Sequence, residues 1–331
     1  MSRTLRATGA DDPAAGPRNS GSRQRILLDT DPGLDDLLAL ALALASPGLE
    51  LAAVTTVAGN APIETVTDNA LRFRSLAGAN FPIGRGAAGP IALGTVHATE
   101  FHGGDGRGAV AMPETTDPST TSAAELLRAC LQSRGIDRIV AVGPLTNLAA
   151  LLHQEPLLLG GAELLWMGGT LSRGNVTELA EFNCYADPQA LAALLDARIA
   201  LHLIGLEVTS RLIVREPDLG PDPFGTGRRA RFLEGLLRAL MEAERPYLGE
   251  TAALLHDPAA VIAATEPELF RFEDLELAVR VEEGAARGQL TRTSSANSCR
   301  VRYAVEVQAD KVIGLVLARL RSWARAGETP N

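Results

Sequence analysis

"LLDTDPGLDDLLAL", Leu27 to Leu40, sets four aspartates, Asp29, Asp31, Asp35 and Asp36, into an otherwise mostly apolar stretch. The residues before Asp31 predict a buried strand over 25–30, and those after Gly33 predict a helix over 34–45. Pro32-Gly33 makes the tight turn between them, and Pro47-Gly48 ends the helix. A buried strand running straight into a buried helix is the opening unit of an α/β fold. Carboxylates at that junction are costly unless positive charge answers them.

The same alternation continues along the chain. Strands are expected at 49–57, 137–143, 162–169, 199–209 and 299–307. Helices are expected at 61–78, over "LTNLAALLH" (145–153), in a run ending near Tyr247, and at 311–326. Short apolar strands between helices predict one α/β domain over 24–327, with a mostly parallel, Rossmann-like central sheet flanked by helices. Residues 84–121 and 217–229 are rich in turn formers and read as long loops, the first a binding loop or lid. Residues 1–23 read as a disordered leader without a signal-peptide apolar stretch.

Composition limits the partners. Of 331 residues 46% are apolar, enough for a substantial core, and the longest apolar run is too short to span a bilayer. A net charge of -9 gives no electrostatic reason to expect nucleic acid or an anionic membrane. Cys130, Cys184 and Cys299 form no metal motif and are expected as reduced, mostly buried thiols in a cytoplasmic protein.

Open parallel sheets bind ligands outside the carboxyl ends of their strands. The polar residues there are Asp31, Asp35 and Asp36, then Asn60, then Thr146 and Asn147, then Asn175, Glu181, Asn183 and Asp187. His256 and Asp257 precede a late apolar helix. No lysine or arginine is among them. An all-oxygen set suits Ca²⁺ or Mg²⁺ rather than zinc, and Ca²⁺ tolerates irregular cages better. Asp31, Asp36 and Asp257 are candidate ligands, with the Val142 carbonyl completing the shell. The plainer alternative makes one Asp a helix cap and Asp31 a turn former, but capping needs one acid, not four. Asp29 is read as structural, with strand alternation taken to turn it away from Asp31.

"DTDPGLDD", "TTVAGN", "VGPLTNLA", "MGG…GN…AEFN…ADP" and "HDP" together resemble the inosine–uridine-preferring nucleoside hydrolases over about residues 25–325. The resemblance implies a Ca²⁺-dependent ribonucleoside N-ribohydrolase that releases free base and ribose, acting in nucleoside salvage. It implies Ca²⁺ held by Asp31, Asp36, Asp257 and the Val142 carbonyl, with Asp31 also deprotonating the metal-bound water. Asp35 and Asn60 would contact the ribose hydroxyls. Asn175, Glu181 and Asn183 would grip the rest of the sugar. His256 would serve the departing base, with His102 near the base side. A homodimer or homotetramer is implied as well. The chain departs from the family pattern at Glu207, where aspartate is usual, and in the segment carrying Glu244, Arg245 and Tyr247.

Two other classes compete with this one. A phosphohydrolase with an aspartyl nucleophile would want a lysine for the phosphoryl group, and the chain's only lysine is Lys311. A non-catalytic Ca²⁺- or ribose-binding protein would keep the same pocket without turnover.

Overall fold

Ile26, Leu27 and Leu28 are all inaccessible to solvent, because the strand that carries them is covered on both faces. Ile26 and Leu28 pack into one core with the helices Leu34–Ala45, Ile63–Ala77, Arg228–Leu248, His256–Thr265 and Ala309–Ala326. Leu27 packs into a second core with Ala123–Gln132, Thr146–Gln154 and Pro188–Asp196. These are the two helical layers of an α/β sandwich. The computed structural model describes residues 23–92, 94–115, 117–294 and 299–326. The leader expected over 1–23 lies outside them apart from Arg23, as does residue 327.

The strands are β1 (Gln24–Thr30), β2 (Leu49–Thr56), β3 (Ile83–Arg85), β4 (Thr121–Ser122), β5 (Arg138–Ala141) and β6 (Glu163–Met167). They continue as β7 (Leu201–Ile204), β8 (Ile213–Arg215), β9 (Ala252–Leu254), β10 (Phe270–Val279), β11 (Leu290–Arg292) and β12 (Cys299–Val307). The main sheet runs β11-β10-β12-β7-β6-β5-β1-β2-β3-β4. It is parallel from β12 to β4, while β10 pairs antiparallel with both β12 and β11. The chain leaves β1 through β2, β3 and β4, then returns to lay β5 on the other side of β1. The strand order therefore reverses between β1 and β5, which is where an open α/β sheet leaves a crevice.

Several sequence expectations need correction. The strand expected over 199–209 stops at Ile204, and Leu206–Thr209 is a helical turn. Most of the run is apolar on both sides of Gly205, so periodicity alone could not find the break there. The 84–121 region holds β3, a short helix Thr99–His102 and β4. The helix expected to end near Tyr247 runs to Leu248 through Pro246, and Gly249 closes it at φ 71°. Cys130 is half-buried and Cys184 is buried.

Asp29 is structural, but not for the reason given. Residues two apart on a strand share a face. Asp29 is separated from Asp31 because β1 ends at Thr30 and the two acids take different partners. Asp29 Oδ1 accepts from Thr55 Oγ1 (2.5 Å) and Asn147 Nδ2 (2.8 Å). Asn147 Nδ2 also donates to the Thr56 carbonyl, and its Oδ1 accepts from Ala87 N at 2.9 Å. One buried carboxamide thus ties β1, β2 and the loop after β3 together. Asn147→Ala should lower unfolding free energy by about 2–3 kcal/mol, the scale of stranding buried polar groups. Chemical denaturation measures this, and a loss below about 0.5 kcal/mol would remove Asn147 from the structural account.

Candidate active site

Two helix N-termini meet at the β1/β5 crevice. Asp35 and Asp36 lie in the first turn of Leu34–Ala45, and Asp257 lies in the first turn of His256–Thr265. The positive ends of both helix dipoles therefore face the acids. Asp35, Asp36 and Asp257 each offer a carboxylate oxygen within 4.8 Å of the others, and all three are buried.

Asp31 is fully buried beside them. Its Oδ2 accepts from Asn60 N at 2.7 Å, while its Oδ1 has no hydrogen-bond partner among the described residues. A Cβ on Gly59 would run into Oδ2, and one on Gly143 would come within 2.5 Å of Oδ1. The two glycines leave the space in which this carboxylate sits.

Asp36 is the most heavily bonded of the set. Its Oδ1 accepts from Thr30 Oγ1 (2.5 Å) and Asp31 N (3.1 Å). Its Oδ2 accepts from Gly33 N (3.0 Å) and Asn60 Nδ2 (2.8 Å). Asp36 therefore does cap the helix, and the capping also fixes its carboxylate beside Asp35. Asn60 Nδ2 donates to the Asp31 carbonyl as well, so Asn60 braces both acids.

Burial pushes the carboxyl pKa of Asp31, Asp35, Asp36 and Asp257 upward, and mutual repulsion adds to this at Asp31, Asp35 and Asp257. No described Lys, Arg or His pairs with any of the four. Such a group cannot stay fully ionised without added positive charge. With oxygen donors only, one of them an orphaned buried oxygen, the residues fit a hard divalent cation.

The remaining expected residues divide by placement. Val142 directly follows β5, and its carbonyl accepts from Asn183 Nδ2 at 2.9 Å. Asn183 Nδ2 also donates to the Met167 carbonyl at the end of β6. Glu181 caps Phe182–Ala186, accepting from Asn183 N, Cys184 N and Gly169 N. Burial raises its pKa. Asn175 is exposed, with Oδ1 accepting from Phe182 N at 2.9 Å, and is the one expected residue classed as exposed.

Two histidines stand close to the acids, His102 from the short helix Thr99–His102 and His256 from the same helix as Asp257. His102 is buried, and its Nδ1 accepts from Leu34 N at 3.1 Å. Burial holds its pKa at about 3. His256 Nδ1 bonds the Thr209 hydroxyl at 2.8 Å, and burial brings its pKa to about 4. The β8–β9 ribbon and the Leu255 N to Leu212 carbonyl bond pin His256 against the Leu206–Thr209 turn.

Glu244 is a site-facing residue to which the sequence reading gave no role. It lies 3.9 Å from His256 Nε2, and burial raises its carboxyl to about 7. The signal was present: Leu233, Leu236, Leu237, Leu240 and Met241 form a buried stripe, and Glu244 takes its next place.

Residues 26–314 match the family model for the inosine-uridine preferring nucleoside hydrolase. The chain belongs to this family. Among its nucleoside hydrolase relatives, the non-specific ribonucleoside hydrolase RihC of Escherichia fergusonii is 35% identical, over 78% of this chain and 85% of that one. The probable uridine nucleosidase 2 of Oryza sativa subsp. japonica is 31% identical over 82% and 83%. The solved plant nucleoside hydrolase PpNRh1 superposes with a TM-score of 0.85 at 29% identity, covering 90% of this chain and 99% of its own.

In this nucleoside hydrolase both site histidines should be neutral at pH 6. The Cε1–H signals of His102 and His256, followed by NMR from pH 8 to 5, should not move, unlike a histidine titrating near the ordinary 6.5. A midpoint near 6.5 for either would contradict the burial described.

Proposed function

We propose that the protein is a Ca²⁺-dependent ribonucleoside N-ribohydrolase that cleaves the N-glycosidic bond to give free base and ribose. The observation that carries this is the cluster of buried acids at the sheet's switch point, with no cationic side chain among the described residues to pair with them. The family and its ribonucleoside-cleaving relatives supply the reaction class.

Asp31, Asp36, Asp257 and the Val142 carbonyl would hold the ion. When bound, Ca²⁺ supplies positive charge that acidifies water and holds vicinal hydroxyls. Asp31 takes the proton of the attacking water, using the oxygen that no group among the described residues engages. Asp35 and Asn60 contact the ribose hydroxyls, and Asn183, Glu181 and Asn175 shape the rest of the sugar site. Bond breaking at C1′ places positive charge on the ribose ring. The surrounding carboxylates and amide oxygens stabilise that charge, the carboxylates already oriented by backbone and carboxamide donors.

His256 and His102 lie on the base side. Held neutral, His256 serves as a hydrogen-bonding group and not as an imidazolium acid. Nδ1 is engaged with the Thr209 hydroxyl, which leaves Nε2, 3.9 Å from Glu244, as the ring nitrogen available to the base. The reading extends to a cytoplasmic, homodimeric or homotetrameric enzyme of nucleoside salvage. Among the described residues no helix is long and apolar enough to cross a membrane.

The test is ribose release from inosine, adenosine, guanosine, uridine and cytidine, with chelator and after Ca²⁺ is restored. Release that chelator abolishes and Ca²⁺ restores is expected. Stoichiometric Ca²⁺ binding with no release from any nucleoside would make the protein a binder instead. Asp31→Ala should abolish turnover, and Asp31→Asn should lower kcat by at least about 100-fold. Near wild-type kcat in Asp31→Asn would move the base elsewhere.

A further inference from the structure

We propose that Glu207 is a positioning residue of the reaction: from the turn Leu206–Thr209 it anchors the start of the 170–180 loop, and through that loop it sets Asn175 and Glu181 against the sugar. This rests on the hydrolase reading above. The Glu207 carboxylate joins two elements that are far apart in sequence. Its Oε1 accepts from Leu171 N at 2.8 Å and from Thr170 Oγ1 at 2.9 Å. Its Oε2 accepts from the hydroxyl of Tyr303, a fully buried residue of β12. A Cβ on Gly205 would come within 2.4 Å of that hydroxyl and 2.9 Å of Oε2, so the glycine leaves the room for the contact. Burial opposes the charge on Glu207, but the hydrogen bonds, that from Tyr303 the largest, outweigh it and hold the carboxyl below the ordinary glutamate value.

The loop needs such an anchor. Ser172, Arg173, Asn175, Val176, Glu178 and Leu179 are all exposed. Its middle is bonded to itself: Gly174 N donates to the Glu178 carbonyl at 3.0 Å, and Ala180 N donates to Thr177 Oγ1 at 3.0 Å. Bonds of this kind shape a loop without fixing it to the sheet. The fixing comes at its ends. At the start, Glu207 holds Thr170 and Leu171, and Leu206 N donates to the Gly169 carbonyl at 3.1 Å. At the end, Glu181 reaches back to Gly169 N at 2.7 Å. The turn that carries Glu207 also carries Thr209, whose hydroxyl bonds His256, so one turn braces both the sugar side and the base side.

The chemistry says what this positioning would act on. With the vicinal hydroxyls of ribose taken by the acids and the ion, the hydroxyl left for Asn175 and Glu181 is the 5′ one. A contact remote from C1′ raises the rate by holding the ring in register for attack. A residue that works only through that contact must lose its effect when the 5′ hydroxyl is removed.

The experiment compares wild type, Glu207→Gln, Glu207→Leu and Thr170→Val at saturating Ca²⁺, with thermal unfolding to confirm folding. Substrates are uridine, inosine and their 5′-deoxy counterparts. Glu207→Leu should lower kcat/KM at least about 10-fold on the nucleosides and stay within about 2-fold of wild type on the 5′-deoxynucleosides. Glu207→Gln, which keeps an acceptor for Leu171 N, should recover part of the loss. Thr170→Val removes one bond to Glu207 and keeps the shape. It should show a smaller loss with the same dependence on the 5′ hydroxyl, and it decides the case if Glu207→Leu does not fold. An equal loss on both kinds of substrate would overturn the proposal, as would no loss. If the wild type cleaves nothing, the hydrolase reading falls and trypsin cleavage after the exposed Arg173 tests the anchor by itself. Cleavage at least about 5-fold faster in the variants would keep Glu207 as the anchor of the loop, and an equal rate would overturn it.

Discussion

Four carboxylates buried together, with no cationic side chain among the described residues to pair with them, impose the constraint on which the rest of this molecule depends. Asp31, Asp35, Asp36 and Asp257 repel one another in a site largely shut off from water. An interior can hold such charge only with oriented dipoles and an external cation. The protein supplies the dipoles. Backbone N–H groups of Asp31, Gly33 and Asn60 point at the acids, and two helices present their N-termini. The cation is left to come from outside.

Topology explains why the acids meet there. The reversal of strand order between β1 and β5 opens the crevice, and the turn after β1 delivers Asp31, Asp35 and Asp36 to it within a few residues. Asp257 comes from far along the chain, carried by the helix that packs on Leu34–Ala45 and held in place by the β8–β9 ribbon. The glycines at 59 and 143 are part of the same arrangement, since a side chain at either would displace the Asp31 carboxylate. Beside the acids stand groups of a different kind: His102 on the Leu34 backbone, His256 next to Asp257, and Glu244 near His256.

Much of this was legible in the sequence where local chemistry and burial agreed. The helix over 34–45 was bounded correctly because Pro32-Gly33 and Pro47-Gly48 punctuate it on both sides. The parallel sheet followed from continuous apolar strands, which only a doubly covered sheet requires. β10 was not legible, because "FRFEDLELAV" is half-exposed near a sheet edge and its charges break the alternation. Glu244 went unassigned because a single acid on a long charged helix looks solvated until its register is known. Asp36 shows a different limit. Capping and clustering with the other acids are not alternatives, since its backbone donors hold the carboxylate where Asp35 and Asp257 converge.

The most direct test of the central claim is calorimetric titration of Ca²⁺ into chelator-treated protein, in two buffers of different ionisation enthalpy. Burial and mutual repulsion raise the carboxyl pKa values of the ion-free site, so cation binding should displace protons from it. The account predicts one Ca²⁺ per chain, with a binding heat that depends on the buffer and is lost in Asp31→Ala. Absence of stoichiometric binding, or binding that survives removal of Asp31, would contradict it.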